Sequence, residues 1–149
     1  MNEKEKRCLL IRTINEMSSY GLKCQINNDI SNTPRDLVYI KEDLQYGLFT
    51  FEYKGEEGAE RIEASLSDVR PYLRPISSMT PEEYKEMGKA IQENYISPCG
   101  EMKPGESPLT VCVINQANNL LNWLRKKHFD YLNLIDKGLA LEASEGMYV

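Results

Sequence analysis

The sequence predicts an α+β domain, a small antiparallel β-meander of about four strands covered by an N-terminal helix and C-terminal helices. Three observations lead there. Near both ends of the chain apolar residues recur at three and four positions, the period of an amphipathic helix. Between them, apolar and polar residues alternate over 22–27 and again over 61–66, which places the apolar set on one face of a strand. Lys54, Gly55, Glu56, Glu57 and Gly58 make a hairpin loop in which two glycines can take positive φ.

Residues 3–18 read as a helix because Leu10, Ile14 and Met17 share one face and Gly21 can end it. Leu22, Cys24 and Ile26 then mark a half-buried strand over 22–27. Asn, Asp, Ser and Thr crowd 27–34, and their side chains compete for backbone hydrogen bonds, so a loop follows. Residues 37–40, 46–53 and 61–66 carry the β-branched and aromatic types that suit a pleated surface, and their short connections make them a meander.

Pro71 and Pro75 each lack a donor, so 69–76 is expected to be an extended connector and not a ladder strand. Thr80 opens the next helix: Pro81 suits its first position, Glu83 completes a capping box, and Met79 can staple onto Tyr84. Tyr84, Met87, Ile91 and Tyr95 supply a stripe expected to cover the meander. Three prolines and two glycines mark 97–108 as a flexible surface loop within a single domain spanning 1–149. A helix from near Asn115 to His128 aligns Ile114, Ala117, Leu120, Leu121 and Leu124, with Trp123 at the edge of the arc. Asp130 is placed to cap a short helix over 131–137 that Gly138 ends, and 139–149 is expected to pack in part.

A chain of 149 residues can bury one core without metal or disulfide staples. Its composition is globular, and no long apolar run or cleavable leader pattern appears, so a soluble cytoplasmic protein is expected, with no membrane partner. The net charge of −5 opposes non-specific attraction to a polyanion. Cys8, Cys24, Cys99 and Cys112 form no CxxC pair or zinc-type spacing, and with one histidine a His-rich metal site is excluded. No GxGxxG or GxxxxGK[ST] occurs, so no nucleotide cofactor is indicated.

The candidate sites are few. Arg125, Lys126, Lys127 and His128 lie beside Trp123, Phe129 and Tyr131, the ingredients of a single-stranded nucleic-acid platform. Consecutive helical residues point 100° apart, however, and a helix C-terminus attracts cations through its dipole, which favours a solvated helix end. His128 with Asp130 and a cysteine would provide a base, an orienting carboxylate and a nucleophile, yet helix termination explains the first two. Glu82 and Glu83 sit where the macrodipole prefers acids. Nine tyrosines, Tyr39, Tyr46, Tyr53, Tyr72, Tyr84 and Tyr95 among them, suit protein interfaces as well as cores. The candidate partner-binding residues are therefore Tyr46, Tyr53, Trp123, Lys126, Lys127, His128 and Tyr131, and no catalytic, cofactor or metal residue is predicted.

Four segments carry a resemblance: 71–80 (PYLRPISSMT), 128–131 (HFDY), 138–143 (GLALEA) and 145–148 (EGMY). On them the chain resembles small uncharacterised proteins of prophages and mobile elements of gut anaerobic bacteria. Where those proteins often carry Arg-Gly after the HFDY-like segment, this chain has Leu132 and Asn133. The resemblance implies a phage or mobile-element setting and no activity. The expected function is that of a non-enzymatic adaptor for a host or phage protein. The alternative is a nucleic-acid-binding accessory protein using the basic end of the 115–128 helix.

Overall fold

A computed structural model of the chain describes residues 1–27, 34–43, 48–54, 58–92 and 108–148. Its helices are α1 (Glu3–Met17), α2 (Pro81–Gln92) and α3 (Pro108–Lys126). Its strands are β1 (Lys23–Ile26), β2 (Arg35–Asp43), β3 (Leu48–Lys54), β4 (Ala59–Ala64), β5 (Val69–Leu73) and β6 (Leu141–Glu142). They form one sheet in the order β4-β3-β2-β1-β5-β6, antiparallel except for the parallel β5–β6 pair. The α+β class and the β2–β3–β4 meander with β1 beside it are as the sequence predicts.

Local chemistry explains α1. Asn2 accepts from the Glu5 amide at 2.8 Å while Glu5 accepts from the Asn2 amide at 2.9 Å, a reciprocal cap that satisfies two orphan donors. A 3₁₀ turn (Ser18–Tyr20) follows and Gly21 leaves it at φ 78°, a conformation that glycine adopts at no steric cost. Leu10, Ile14 and Met17 bury with Leu22, with Cys24 and Ile26 of β1, and with Phe49, Phe51, Val69 and Leu73. Thr13, also buried, donates its hydroxyl to the Leu9 carbonyl, so its burial costs no unpaired group. Between Leu37 and Tyr39 the β2–β3 register slips by one residue, a bulge that bends the long second strand.

The connector expected over 69–76 is instead mainly a strand. Val69, Pro71 and Leu73 are buried in alternation, and Pro71 stands opposite Cys24. Antiparallel pairs alternate between those that exchange hydrogen bonds and those that do not. Toward β6 the ladder covers only Tyr72 and Leu73, so the missing Pro71 donor leaves no ladder bond there unmade. Pro75 does end the strand, and a 3₁₀ turn (Ile76–Ser78) follows.

The second helix keeps its predicted start, with Glu83 and Thr80 bonding reciprocally at 3.0 and 3.2 Å, but it does not cover the meander. Met79, Met87 and Ala90 pack with Leu120 and Tyr131 around Trp123, Leu124 and Phe129, a separate cluster. Tyr84 is 66% exposed, so Met79 staples into that cluster and not onto Tyr84. Helix α1 takes the covering role together with the C-terminal turns, whose Leu134 and Ala140 bury in the same core and whose Leu132, Ile135 and Leu139 pack against it.

The third helix starts earlier than expected, at Pro108, whose missing donor and fixed φ suit a first helical position. The remainder of the loop expected over 97–108 lies outside the described residues, as does Tyr95. The predicted apolar arc is buried only at its C-terminal end: Ile114 and Ala117 are exposed, while Leu124 and Trp123 are buried. Residues 131–137 form successive turns and no helix. Asp130 is the reason: its two carboxylate oxygens take the Leu134 and Ile135 amides at 2.8 Å each, replacing the backbone acceptors that a helix would offer.

Candidate functional site

The site grows from the way α3 ends. The Phe129 amide bonds the Leu124 carbonyl at 2.9 Å and the His128 amide bonds the Arg125 carbonyl at 3.0 Å, the paired six-to-one and five-to-two bonds of a Schellman motif. His128 occupies the left-handed position, φ 59°, where glycine is usual, at a strain of about 1 kcal/mol. Phe129 is fully buried with Trp123 and Leu124. Its ring stacks on Trp123 at 5.6 Å and carries the Arg74 guanidinium 4.4 Å from its centroid.

The backbone then clasps Arg74. Its amide donates to the His128 carbonyl and its carbonyl accepts from the Asp130 amide, both at 2.8 Å. The Arg74 side chain meets Glu83 through two parallel hydrogen bonds of 2.6 and 2.9 Å, the fork geometry that gives guanidinium–carboxylate pairs their strength. Those bonds, aided by the Thr80 amide against the opposing effect of burial, hold the Glu83 carboxyl down at about 2. Glu83 thus caps a helix and anchors Arg74 with one side chain. Glu83→Ala is expected to lower the unfolding free energy by about 3 kcal/mol, since it strands a half-buried cation, against about 1 kcal/mol for Thr80→Ala, which removes only a cap. Urea unfolding of both variants checks the ratio.

The C-terminal segment closes the arrangement. Ala143 donates to the Leu73 carbonyl at 2.8 Å. Tyr148 accepts from the Lys23 amide at 3.1 Å and donates to the Tyr72 carbonyl at 2.6 Å. Extending the β1–β5 register would pair Lys23 with Tyr72, so the phenol stands where their direct ladder bond would lie. Its ring stacks on His128 at 3.8 Å and 8°, and burial raises the phenol pKa. Burial pushes the imidazole down to about 4; the Tyr20 carbonyl works against that, and the Arg74 and Lys23 charges reinforce it. That carbonyl forms no well-aligned hydrogen bond: both ring nitrogens are buried without a partner among the described residues, as is Trp123 Nε1.

Between Arg74, the start of α2 and the C-terminal segment lies a cleft of about 520 Å³, with Ser78, Thr80, Glu83, Lys127, Glu142 and Glu145 in its walls. Residues from 71–80, 138–143 and 145–148 line it, and 128–131 lies behind, bonded to the Arg74 backbone and stacked on Tyr148.

The candidates from sequence distribute differently. Trp123, Tyr53 and His128 are buried at 6%, 4% and 4% exposure, so in this fold their rings pack inside and offer no surface to a partner. Tyr53 donates to Glu60 at 2.6 Å and lies under the Arg35 guanidinium. Tyr131 donates to Glu16 at 2.6 Å, and Arg125 bonds both. Burial opposes ionisation of Glu16, but Tyr131 and Arg12, with the Arg125 charge, outweigh it and keep its pKa low. Lys127 pairs with Glu86 at 2.9 Å and lies over Trp123. Lys126 is exposed, and Tyr46 lies outside the described residues.

His128 and Asp130 do not form a base and its orienter, because both Asp130 oxygens are taken by backbone amides. The Cys24 thiol is buried, with its pKa raised well above the usual range, and Cys8 is exposed on the first helix. Among the described residues no cluster of three metal-ligating side chains exists, and no helix is long and apolar enough to cross a membrane. Sequence reasoning missed Arg74 and Tyr148 as members of the site. The alternation of Val69, Pro71 and Leu73 was the available signal for Arg74; for Tyr148 there was none, because its partners are 20 to 125 positions away. Comparison with protein-family models, with curated proteins and with solved structures finds no match for this chain.

Proposed function

We propose that the chain is a non-enzymatic interaction protein of a phage or mobile element, working in the cytoplasm and meeting a host or phage protein at the cleft beside Arg74. One observation carries this reading: the groups that could do chemistry are committed to the fold, while a polar cleft remains open next to them. His128 is buried and stacked, Asp130 serves backbone amides, and Arg125 is tied to Glu16. The cleft walls carry both signs of charge, Lys127 with Glu142 and Glu145, together with the hydroxyl residues Ser78 and Thr80. Mixed polar walls suit a polypeptide segment with charges of both signs, whereas a polyphosphate favours a cationic surface.

Capture from host cells is expected to return a stoichiometric protein partner, and Lys127→Glu or Glu145→Lys to weaken it about tenfold through like-charge contacts. Lys126→Glu, outside the cleft, is expected to leave capture unchanged. A monomeric protein that retains nothing stoichiometric would sink the proposal. DNA or RNA binding in low-salt anisotropy titrations, lost in Lys126→Glu and steeply weakened by salt, would replace it with the nucleic-acid reading.

A further inference from the structure

We propose that Tyr148 is a proton-released latch, which holds the C-terminal segment against the sheet while His128 is neutral and lets it go when the imidazole is protonated. The inference concerns how the segment is held and does not depend on what the cleft beside it binds.

The geometry is that of a lid on a buried base. The Tyr148 ring lies flat on the imidazole at 3.8 Å, and His128 is 4% exposed with neither ring nitrogen hydrogen-bonded among the described residues. A neutral ring tolerates such a place at the loss of two hydrogen bonds, but an imidazolium must present two N–H donors to something. The groups around it offer little. Arg74, just after β5, and Lys23 from β1 are both cationic, with Arg74 turned to Glu83 and Lys23 to Asp36. The Tyr20 carbonyl, from the 3₁₀ turn after α1, faces the ring in poor alignment. On its own segment, Asp130 has no oxygen to spare, and Lys127 is engaged with Glu86. Tyr148 itself gives the ring face and spends its hydroxyl on Lys23 and Tyr72.

An imidazolium here needs water, and the way to water that disturbs least is past the segment above it. Ser144, Glu145 and Gly146 are exposed, and the segment beyond the two-residue β6 is tied to the sheet by the Ala143 amide and the Tyr148 hydroxyl. The other neighbours belong to the strands, to the 3₁₀ turn after α1 and to the end of α3, where movement would break ladder bonds, the Gly21–Ser18 bond of the turn or the Schellman pair. Release would also withdraw Tyr148 and Met147 from the cleft wall, so the same event would widen the cleft.

His128 is the only histidine in the chain, so its imidazole resonances report protonation without ambiguity. The test is an NMR titration from pH 7.5 to 3.5 with amide-exchange protection factors read in parallel. The imidazole is expected to take up its proton only below about pH 5. As it does, the Lys23 and Ala143 amides lose protection at least about tenfold while Ile14 and Phe51 keep theirs. In Tyr148→Ala the midpoint moves back toward about 6.5, the value for an unperturbed ring. His128→Phe, which stacks but cannot be protonated, keeps Lys23 and Ala143 protected throughout. The latch is overturned if those two amides stay protected after His128 is charged, if they open only together with Ile14 and Phe51, or if His128→Phe opens at the same pH. A wild-type midpoint near 6.5 with Lys23 still protected overturns it as well, and that result needs no variant to fold.

Discussion

Phe129→Ala is expected to lower the unfolding free energy by about 4 kcal/mol, the range for emptying a fully buried aromatic site. The ring of Phe129 fills the cluster under α2 and α3, stacks on Trp123 and supports the Arg74 guanidinium. Its own amide closes the Schellman motif, which the substitution leaves in place. The loss is therefore one of packing together with a cation–π contact, the latter about 1 kcal/mol of the total. Leu124→Ala empties the same cluster without touching Arg74 and provides the comparison. Urea unfolding followed by Trp123 fluorescence measures both, and a Phe129→Ala midpoint within error of the parent would show that the cluster does not hold the two helices to the rest.

Acid is expected to destabilise the protein in two separate windows. In the unfolded chain His128 is protonated below its ordinary value of 6.5, but the folded imidazole stays neutral until about 4. Between those values the unfolded state binds a proton that the native state refuses, so stability falls as the pH falls, by up to about 3 kcal/mol, and the effect is complete below 4. Glu83 acts lower down. Its carboxylate is ionised in the folded protein to about pH 2 against an ordinary 4.5, so the stability it contributes is present above 4.5 and is lost as the pH falls through 2. Glu16, also held low, adds to that second window. His128→Gln is expected to flatten the upper window and Glu83→Gln the lower one. Unfolding free energies at pH 7, 5.5, 4 and 3 separate the two, and a wild-type stability unchanged from pH 6.5 to 4 would refute the first. If the C-terminal latch releases on protonation, the open native form takes up the same proton, and the loss in the upper window is capped at the free energy of opening the latch.

How much of this was legible beforehand differs from element to element. The start of the second helix was written in Thr80, Pro81 and Glu83, because a capping box needs only residues three apart. What the helix packs against was not: the stripe containing Tyr84 and Met87 fits a sheet or another helix equally well, and Tyr84 proved to face solvent. Pro71 misled because its missing donor matters only if the neighbouring strand needs it, and strand order is not a local property. Asp130 was identified as a cap, yet with its oxygens on Leu134 and Ile135 it organises a turn where a helix was expected.

By itself, then, the amino-acid order determined what depends on neighbours within a turn or on strict alternation: the α+β class, the meander, the starts of the first two helices, and the absence of nucleotide-binding or zinc-type motifs. Only the tertiary structure decided which of the tyrosines, the histidine and the basic residues lie inside, and that Arg74, His128 and Tyr148 share one place. The reason is that such placements are set by contacts between segments up to 125 residues apart. The energy of a buried imidazole, a stacked phenol or a forked ion pair arises only when packing has excluded water from them.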